Sequence, residues 1–206
     1  MLEIERKFLP NFKVVPGIKT LIAERHVGQN YLVTGNEEIR IRKVSTNNNI
    51  KAYVGFKKSS GLVREEFEKE ISLDTYNQLS KLINTKPIIK IRREIEIDGL
   101  IYEHDVYLNV ELSGLQIIEI EFRNEEESKN FVIPDWLGEE VTDDKNYKNQ
   151  SLWKKNNKGL DEKLIERFTG FETYSKIQAL LNEINELGDL IRGNKSIEIT
   201  SGEVLL

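Results

Sequence analysis

Three residues near the start of the chain have the types and spacing that ion chemistry needs. In the stretch MLEIERKFLP, Glu3, Glu5 and Lys7 alternate with Ile4, Arg6 and Phe8. A β-strand points successive side chains to opposite faces, so two carboxylates and an ammonium share one side. Carboxylates about 6–7 Å apart along a strand can share a divalent cation, directly or through its waters. A lysine one step further along then meets an anion.

The same period recurs down the chain. EEIRIRKV puts Arg40 and Arg42 on one face and Ile39 and Ile41 on the other, and AYVGFKK sets Lys57 opposite Val54 and Phe56. VREEFEKEI gathers Arg64, Glu66, Glu68 and Glu70 on one side; IIKIRREIEI gathers Lys90 and Arg92, continued by Glu94 and Glu96. LIYEHDVYL is a further strand carrying Asp105, and LQIIEIEFR sets Glu119 and Glu121 opposite Ile118, Ile120 and Phe122. A solvated sheet face ordinarily mixes charged residues with Thr, Ser, Asn and Gln. Here at least five strands carry nearly unbroken Arg, Lys and Glu on one side with apolar residues on the other.

That pattern predicts a sheet turned inside out. About eight strands, mostly antiparallel, close into a barrel with a charged lumen, and amphipathic helices cover the apolar outer wall. Unpaired buried charge costs several kcal/mol per ion, so the lumen must hold water, ions or an ionic ligand. Guanidinium and ammonium groups at many points suit a ligand with several anionic oxygens. The carboxylates repel such a ligand unless a hard cation neutralises them, and Mg²⁺ or Mn²⁺ does so with oxygen donors. A polyphosphate–metal complex is the ligand that explains both signs of charge.

The elements that would position these residues are marked by turns and caps. KSSGL, Asp98–Gly99 and the SGL after Leu112 suit hairpins. A helix is expected over Asp74–Ile83 with Asp74 as N-cap, and Asn124 with Glu127 forms a capping box for another. The stretch PDWLGEEVTDDKNYKN reads as a compact loop and NQSLWKKN as a short helix. Residues 154–158, rich in Asn and Lys, read as a linker. A second capping box (Thr169 with Glu172) then opens a helix over Phe171–Arg192, with Tyr174, Ile177, Leu181, Ile184, Leu187 and Ile191 at helical spacing and Gly193 as C-cap. The organisation expected is therefore α+β: a tunnel domain over 1–153 and a C-terminal helical extension over 154–206, with KSIEITSGEVLL as a terminal strand or loose end. The extension helix is expected to pack on the barrel or on a partner chain, which leaves a homodimer open.

Composition narrows the partners. The 206 residues are 38% apolar and 32% charged, with a net charge of −5, which disfavours nucleic-acid binding through bulk charge. The absence of cysteine excludes disulfides, thiolate nucleophiles and zinc–sulfur sites, and the two histidines are far apart. No apolar run approaches the roughly 20 residues of a membrane span, and no signal-type stretch opens the chain, so a cytoplasmic protein without membrane partners is the expectation. His104 reads as a structural histidine, and Trp136 and Trp153 as packing residues.

The residues together resemble a known family. EIERK fits the ExExK signature of the CYTH superfamily, the triphosphate tunnel metalloenzymes. IRIRK, GFK, REEFE, KIRR, HDV and EIEF follow in that family's order, and GEEVTDDKNYKN is similar to a segment of its small bacterial members. The resemblance covers about residues 1–153. It implies a closed eight-stranded antiparallel tunnel and hydrolysis or cyclisation of triphosphates with a divalent metal. Carried over, it implies that Glu3, Glu5, Asp105, Glu119 and Glu121 bind metal, with Glu66 and Glu68 for a second ion. Lys7, Arg40, Arg42, Lys57, Arg64 and Arg92 would hold phosphates, Lys90 and Tyr31 would assist attack by water, and Lys148 would close one end.

The reaction expected is metal-dependent hydrolysis of a triphosphate, above all inorganic tripolyphosphate, at a terminal phosphoanhydride. Lysine's ordinary pKa, about 10.4, is high for a base, and Arg92 and other cations should lower that of Lys90 and favour alkaline pH. Nucleoside or thiamine triphosphates need a further pocket. Class IV adenylate cyclases share the ExExK start, but their later strand usually carries an HxD pattern followed by a glycine-rich turn, where this chain has HD and SGLQ, which disfavours a cyclase. A non-catalytic polyphosphate or nucleotide sensor would have no need of the carboxylates.

Overall fold

The computed structural model describes residues 4–11, 20–35, 37–60, 63–83 and 85–158, with the backbone alone over 58–60 and 63–66. Glu3, the terminal strand and the expected helix over 171–192 lie outside the described residues. Among the described residues nine strands form one sheet: β1 Ile4–Pro10, β2 Thr20–Val33, β3 Glu37–Thr46, β4 Asn49–Ser60, β5 Val63–Ile71, β6 Ile88–Ile97, β7 Leu100–Tyr107, β8 Gln116–Phe122 and β9 Leu137–Glu140. Three α-helices accompany them among the described residues: α1 Leu73–Ile83, α2 Glu125–Asn130 and α3 Asn149–Asn156. Every strand pairing is antiparallel, and the order is β5-β4-β3-β2-β6-β7-β8-β1-β9.

The closed eight-stranded ladder expected from the sequence differs from this order in three ways. β9 is an additional strand inside the stretch read as a loop. It takes the edge of β1 that β8 leaves open, with Phe8 opposite Glu140. Among the described residues no ladder joins β5 to β9, so the sheet is not closed by backbone hydrogen bonds. The third surprise is β2, a long central strand that joins β3 to β6.

Local chemistry sets the turns and caps. Asp98 and Gly99 both adopt positive φ, 52° and 79°, which makes the β6–β7 connection the two-residue hairpin turn expected of an Asp-Gly pair. Asn124 caps α2 by accepting from the Glu127 amide at 2.8 Å, and the Glu127 carboxylate reaches back to the Arg123 amide at 2.8 Å. At α1 the cap is Ser72 rather than Asp74. The Ser72 hydroxyl accepts from the Thr75 amide at 3.0 Å, and Asp74 lies in the first turn, where it faces the positive end of the helix dipole. The expected linker is also shorter than read. α3 runs to Asn156, and the Asn157 carboxamide clasps the backbone of Lys86, accepting from its amide and donating to its carbonyl, both at 2.9 Å.

The apolar outer face is covered in two patches. Tyr76, Leu79 and Ile83 of α1 pack on Leu32, Val33, Ile39, Ile41, Ala52 and Val54 of β2–β4. Phe8, Tyr102, Ile118, Ile120 and Phe122 pack with Leu137, Phe131 and Trp136. Full burial of such a side chain stabilises the fold by about 1.5–3 kcal/mol, so these patches fix which face of each strand turns outward. No helix among the described residues is long and apolar enough to cross a membrane.

Candidate active site

Register decides which side chains share the inner face, because residues directly opposite in an antiparallel pair point the same way. Lys7 lies opposite Glu119, Glu5 opposite Glu121, Glu119 opposite Glu103, and Asp105 opposite Arg92. From β6 the face continues into β2, where Val27 lies opposite Lys90 and Gln29 opposite Ile88. It passes to β3 through Gln29–Arg42 and Tyr31–Arg40, to β4 through Glu38–Lys57 and Arg40–Gly55, and to β5 through Lys57–Glu66 and Gly55–Glu68. Glu5, Lys7, Tyr31, Arg40, Arg42, Lys57, Glu68, Lys90, Arg92, Asp105, Glu119 and Glu121 thus stand on one face, and Arg64 and Glu66 join it by backbone register. Lys148 does not. It is exposed at the N-cap of α3.

The face is charged at its centre and apolar at one end. Tyr31, Ile88, Tyr107 and Ile117 continue the rows of Gln29, Lys90, Asp105 and Glu119, and α3 closes over them with Leu152 and Trp153. Tyr31 and Trp153 pack with ring centroids 5.5 Å apart. The indole N–H donates to Asn30 Oδ1 at 2.5 Å, and the Tyr107 hydroxyl donates to Asn149 at 2.8 Å.

On the β6–β7–β8–β1 side the ionic groups form one network. Asp105 is fully buried and receives Arg92 through two bonds, Nε to Oδ1 at 2.7 Å and Nη2 to Oδ2 at 2.6 Å. The Lys90 ammonium also donates to Oδ2. Arg92 reaches on to Glu119 at 2.7 Å and pairs with Glu103, and Glu119 receives Lys7, which lies 3.3 Å from Glu5. Burial lowers the pKa of Lys90 and the Arg92 charge lowers it further. Asp105 and Glu119 oppose them, and the balance is about 8. For Glu119, burial raises the pKa, but Lys7, Arg92 and Lys90 outweigh it and hold the carboxyl well below the usual range. Burial pushes Glu103 up, against the pull of Arg92.

On the β2–β3–β5 side, Glu68 lies 3.3 Å from Arg42 and 3.8 Å from Arg40. Gln29, only 1% exposed, accepts from Arg42 Nε at 3.2 Å and donates to the Tyr31 hydroxyl at 2.7 Å. Burial, helped by Glu38, raises the pKa of Tyr31 against the lowering influence of Arg40 and Arg42, so this phenol keeps its proton. Tyr31 keeps its proton and accepts a hydrogen bond from its direct partner Gln29; the direct partner of Lys90 is Asp105. Gly55 makes room on this side: an added Cβ would stand 3.0 Å from Arg40 Nε and 3.1 Å from its Cγ.

Sequence reasoning missed Gln29 because β2 lacks a clean alternation. It missed Glu103 although the E-x-D spacing of Glu103 and Asp105 was legible in YEHDV. His104 points to the opposite face, 2.7 Å from Gln116 Oε1, as a satisfied structural histidine does.

The oxygen donors suit a hard divalent cation. Glu5 and Glu121 face each other directly across β1 and β8, a like-charge pair that Lys7, 3.3 Å from Glu5, offsets on one side and that a divalent cation would neutralise further. Among the described residues no three carboxylate or imidazole groups form a ready cage. Mg²⁺ does not need one, since it keeps several waters and binds through one or two carboxylates plus substrate phosphates.

No family model matches the chain. It is 35% identical over 158 residues to an inorganic triphosphatase of Nitrosomonas europaea, covering 74% of this chain and 97% of that protein. It is 33% identical over 163 residues to an inorganic triphosphatase of Acetivibrio thermocellus, covering 78% of this chain and 98% of that one. Among solved structures, the crystal structure of an inorganic triphosphatase superposes with a TM-score of 0.54 at 31% identity, over 74% of this chain and 95% of the other.

Proposed function

The chain belongs to the inorganic triphosphatase family and is a triphosphate hydrolase, and on that premise we propose that its substrate is inorganic tripolyphosphate, cleaved at a terminal phosphoanhydride. We read it further as a triphosphate tunnel metalloenzyme of the CYTH type, whose sheet wraps around the substrate. The observation that carries this reading is burial of ions on one face. Lys7 is 7% exposed, Arg40 9%, Lys90 3%, Asp105 0% and Glu119 7%. On a flat open sheet these side chains would stand in water. The preference for tripolyphosphate over a nucleotide draws support from the closed end, where Tyr31, Tyr107 and Trp153 pack on one another and on α3 and offer no ring for a base to stack on.

Glu5 and Glu121 are the proposed carboxylates for Mg²⁺ or Mn²⁺, joined by Glu3 from its spacing and by Glu119 if Lys7 turns to phosphate. Glu66 and Glu68 are the proposed ligands of a second ion. Asp105 is assigned a different part from the one its motif implies. Arg92 and Lys90 occupy both its oxygens, so it acts as the counter-ion that orients them. A bound divalent cation would neutralise phosphate oxygens and polarise the bond to be broken.

The protein's own groups supply the rest. Phosphoryl transfer passes through a loose transition state with charge spread over the equatorial oxygens, so catalysis is mainly positioning and electrostatics. Lys7, Arg40, Arg42, Lys57, Arg64 and Arg92 hold phosphate oxygens, the guanidinium groups in a forked geometry. Lys90, with its pKa near 8, is a neutral amine at mildly alkaline pH and accepts a proton from the attacking water. Tyr31 keeps its proton and donates a hydrogen bond.

Phosphate release from tripolyphosphate, ATP and thiamine triphosphate, each with Mg²⁺ or Mn²⁺ and each with chelator, tests the reading. The expected result is metal-dependent release with kcat/KM for tripolyphosphate at least about tenfold above the others. Faster turnover of ATP, or formation of cyclic AMP from it, would overturn the substrate assignment.

A further inference from the structure

We infer that Gln29 is a positioning residue for triphosphate hydrolysis, holding Arg42 and setting the direction of the Tyr31 hydroxyl proton; this rests on the function proposed above. The orientation of its carboxamide follows from its neighbours. Arg42 Nε carries a proton at any pH of interest and can only donate, so the group 3.2 Å from it is the Gln29 oxygen. The amide nitrogen therefore faces Tyr31 and donates to the phenol oxygen at 2.7 Å. With that lone pair occupied by Gln29, the phenol's own proton turns away from it, on the face that carries Arg40 and Arg42.

Three features make this more than a core contact. Gln29 is 1% exposed, so its two bonds are made away from water and neither partner is readily exchanged for solvent. Its acceptor bond takes the inner nitrogen of Arg42, while Glu68 lies 3.3 Å from Nη1. The guanidinium is thus held from two sides, and its direction on the charged face is set before any phosphate arrives. The donor bond sits where the charged face gives way to the apolar end, since Tyr31 also packs on Trp153 of α3. One carboxamide therefore ties a phosphate-gripping arginine to the closed end of the site.

A carboxylate at this position separates the two duties. Gln29→Glu still accepts from Arg42 but can only accept from Tyr31, which draws the phenol proton toward residue 29 and away from substrate. Gln29→Met keeps the volume and loses both bonds. Steady-state kinetics on tripolyphosphate with Mg²⁺ should show kcat for Gln29→Glu lower by about tenfold or more with KM within about threefold of wild type. Gln29→Met should lose kcat similarly and also raise KM by about tenfold. Tyr31→Phe in the Gln29→Glu background should cost little more, because the donor is already withdrawn. Thermal melts keep loss of fold apart from loss of function, and Gln29→Glu serves if Gln29→Met fails to fold. Wild-type turnover reports on the proposed reaction, and the variant-to-wild-type ratio reports on Gln29. Metal-free affinity for tripolyphosphate, weakened about tenfold by Gln29→Met, reads the Arg42 duty without turnover. Kinetics and affinity within about twofold of wild type in both variants, or a full additive loss from Tyr31→Phe in Gln29→Glu, would overturn the inference.

Discussion

Arg92 grips Asp105 through two parallel hydrogen bonds, 2.7 and 2.6 Å, and the same carboxylate receives the Lys90 ammonium. Two cations on one strand thus share one fully buried anion on the next. Like charges so placed would push each other apart without it. The pair is where the stability of the charged face and its chemistry meet.

Asp105→Asn should therefore be costly. Removing one member of a buried ion pair leaves its partners uncompensated, and the loss is on the order of 3–5 kcal/mol. Urea unfolding monitored by tryptophan fluorescence measures it. A midpoint equal to wild type would show that Lys90 and Arg92 do not depend on this carboxylate.

Lys90 predicts the ascending, acid-side limb of the pH profile. Its folded pKa of about 8 lies below the ordinary lysine value, because burial and Arg92 disfavour the ammonium. Below that pH the side chain is charged and cannot take a proton from water; above it the free amine can. The kcat/KM for tripolyphosphate should climb about tenfold per pH unit on the acid side and level off above the pKa. Lys90→Arg, which stays charged, should lose turnover and the limb together. An unaltered profile in that variant would remove Lys90 from the proton transfer.

Gly55→Ala should weaken substrate binding more than folding. The new methyl meets the flexible side chain of Arg40, at 3.0 Å from Nε, so the arginine can yield but loses its place. KM for tripolyphosphate should rise on the order of tenfold, since small misplacements of a positioning group are felt strongly. The melting temperature should change little. A normal KM would mean that Arg40 does not hold phosphate.

Trp153→Ala tests the closed end. The indole packs on Tyr31 at 5.5 Å and donates to Asn30 Oδ1, so truncation removes a large buried ring and one hydrogen bond. The expected destabilisation is about 3–5 kcal/mol. Unchanged denaturation would show that α3 is dispensable to the fold.

The charged stripes were legible because period-two alternation is a strong signal, and register later placed Lys7, Arg40, Arg92, Asp105 and Glu119 on one face as the pattern required. β2 was not legible. Its run GQNYLV mixes polar and apolar residues on both sides, since one face carries Gln29 beside Arg42 and meets α3 while the other meets α1. β9 read as a loop because four residues, Leu137–Glu140, carry too little pattern; only pairing with β1 makes them a strand. The cap of α1 was misplaced because Ser72 and Asp74 are both good capping types, and the choice between them depends on where β5 ends. Gln29 was invisible for a related reason. A lone glutamine has no spacing to recognise, and its role exists only once β2 and β3 bring Arg42 beside it.

A crystal structure of the Lys90→Met variant soaked with tripolyphosphate and Mn²⁺ tests the central claim most directly. The account predicts tripolyphosphate on the inner face, its oxygens in hydrogen-bond contact with Arg40, Arg42 and Arg92. It also predicts anomalous manganese signal beside Glu5 and Glu121. Tripolyphosphate bound elsewhere, or manganese away from those carboxylates, would contradict it.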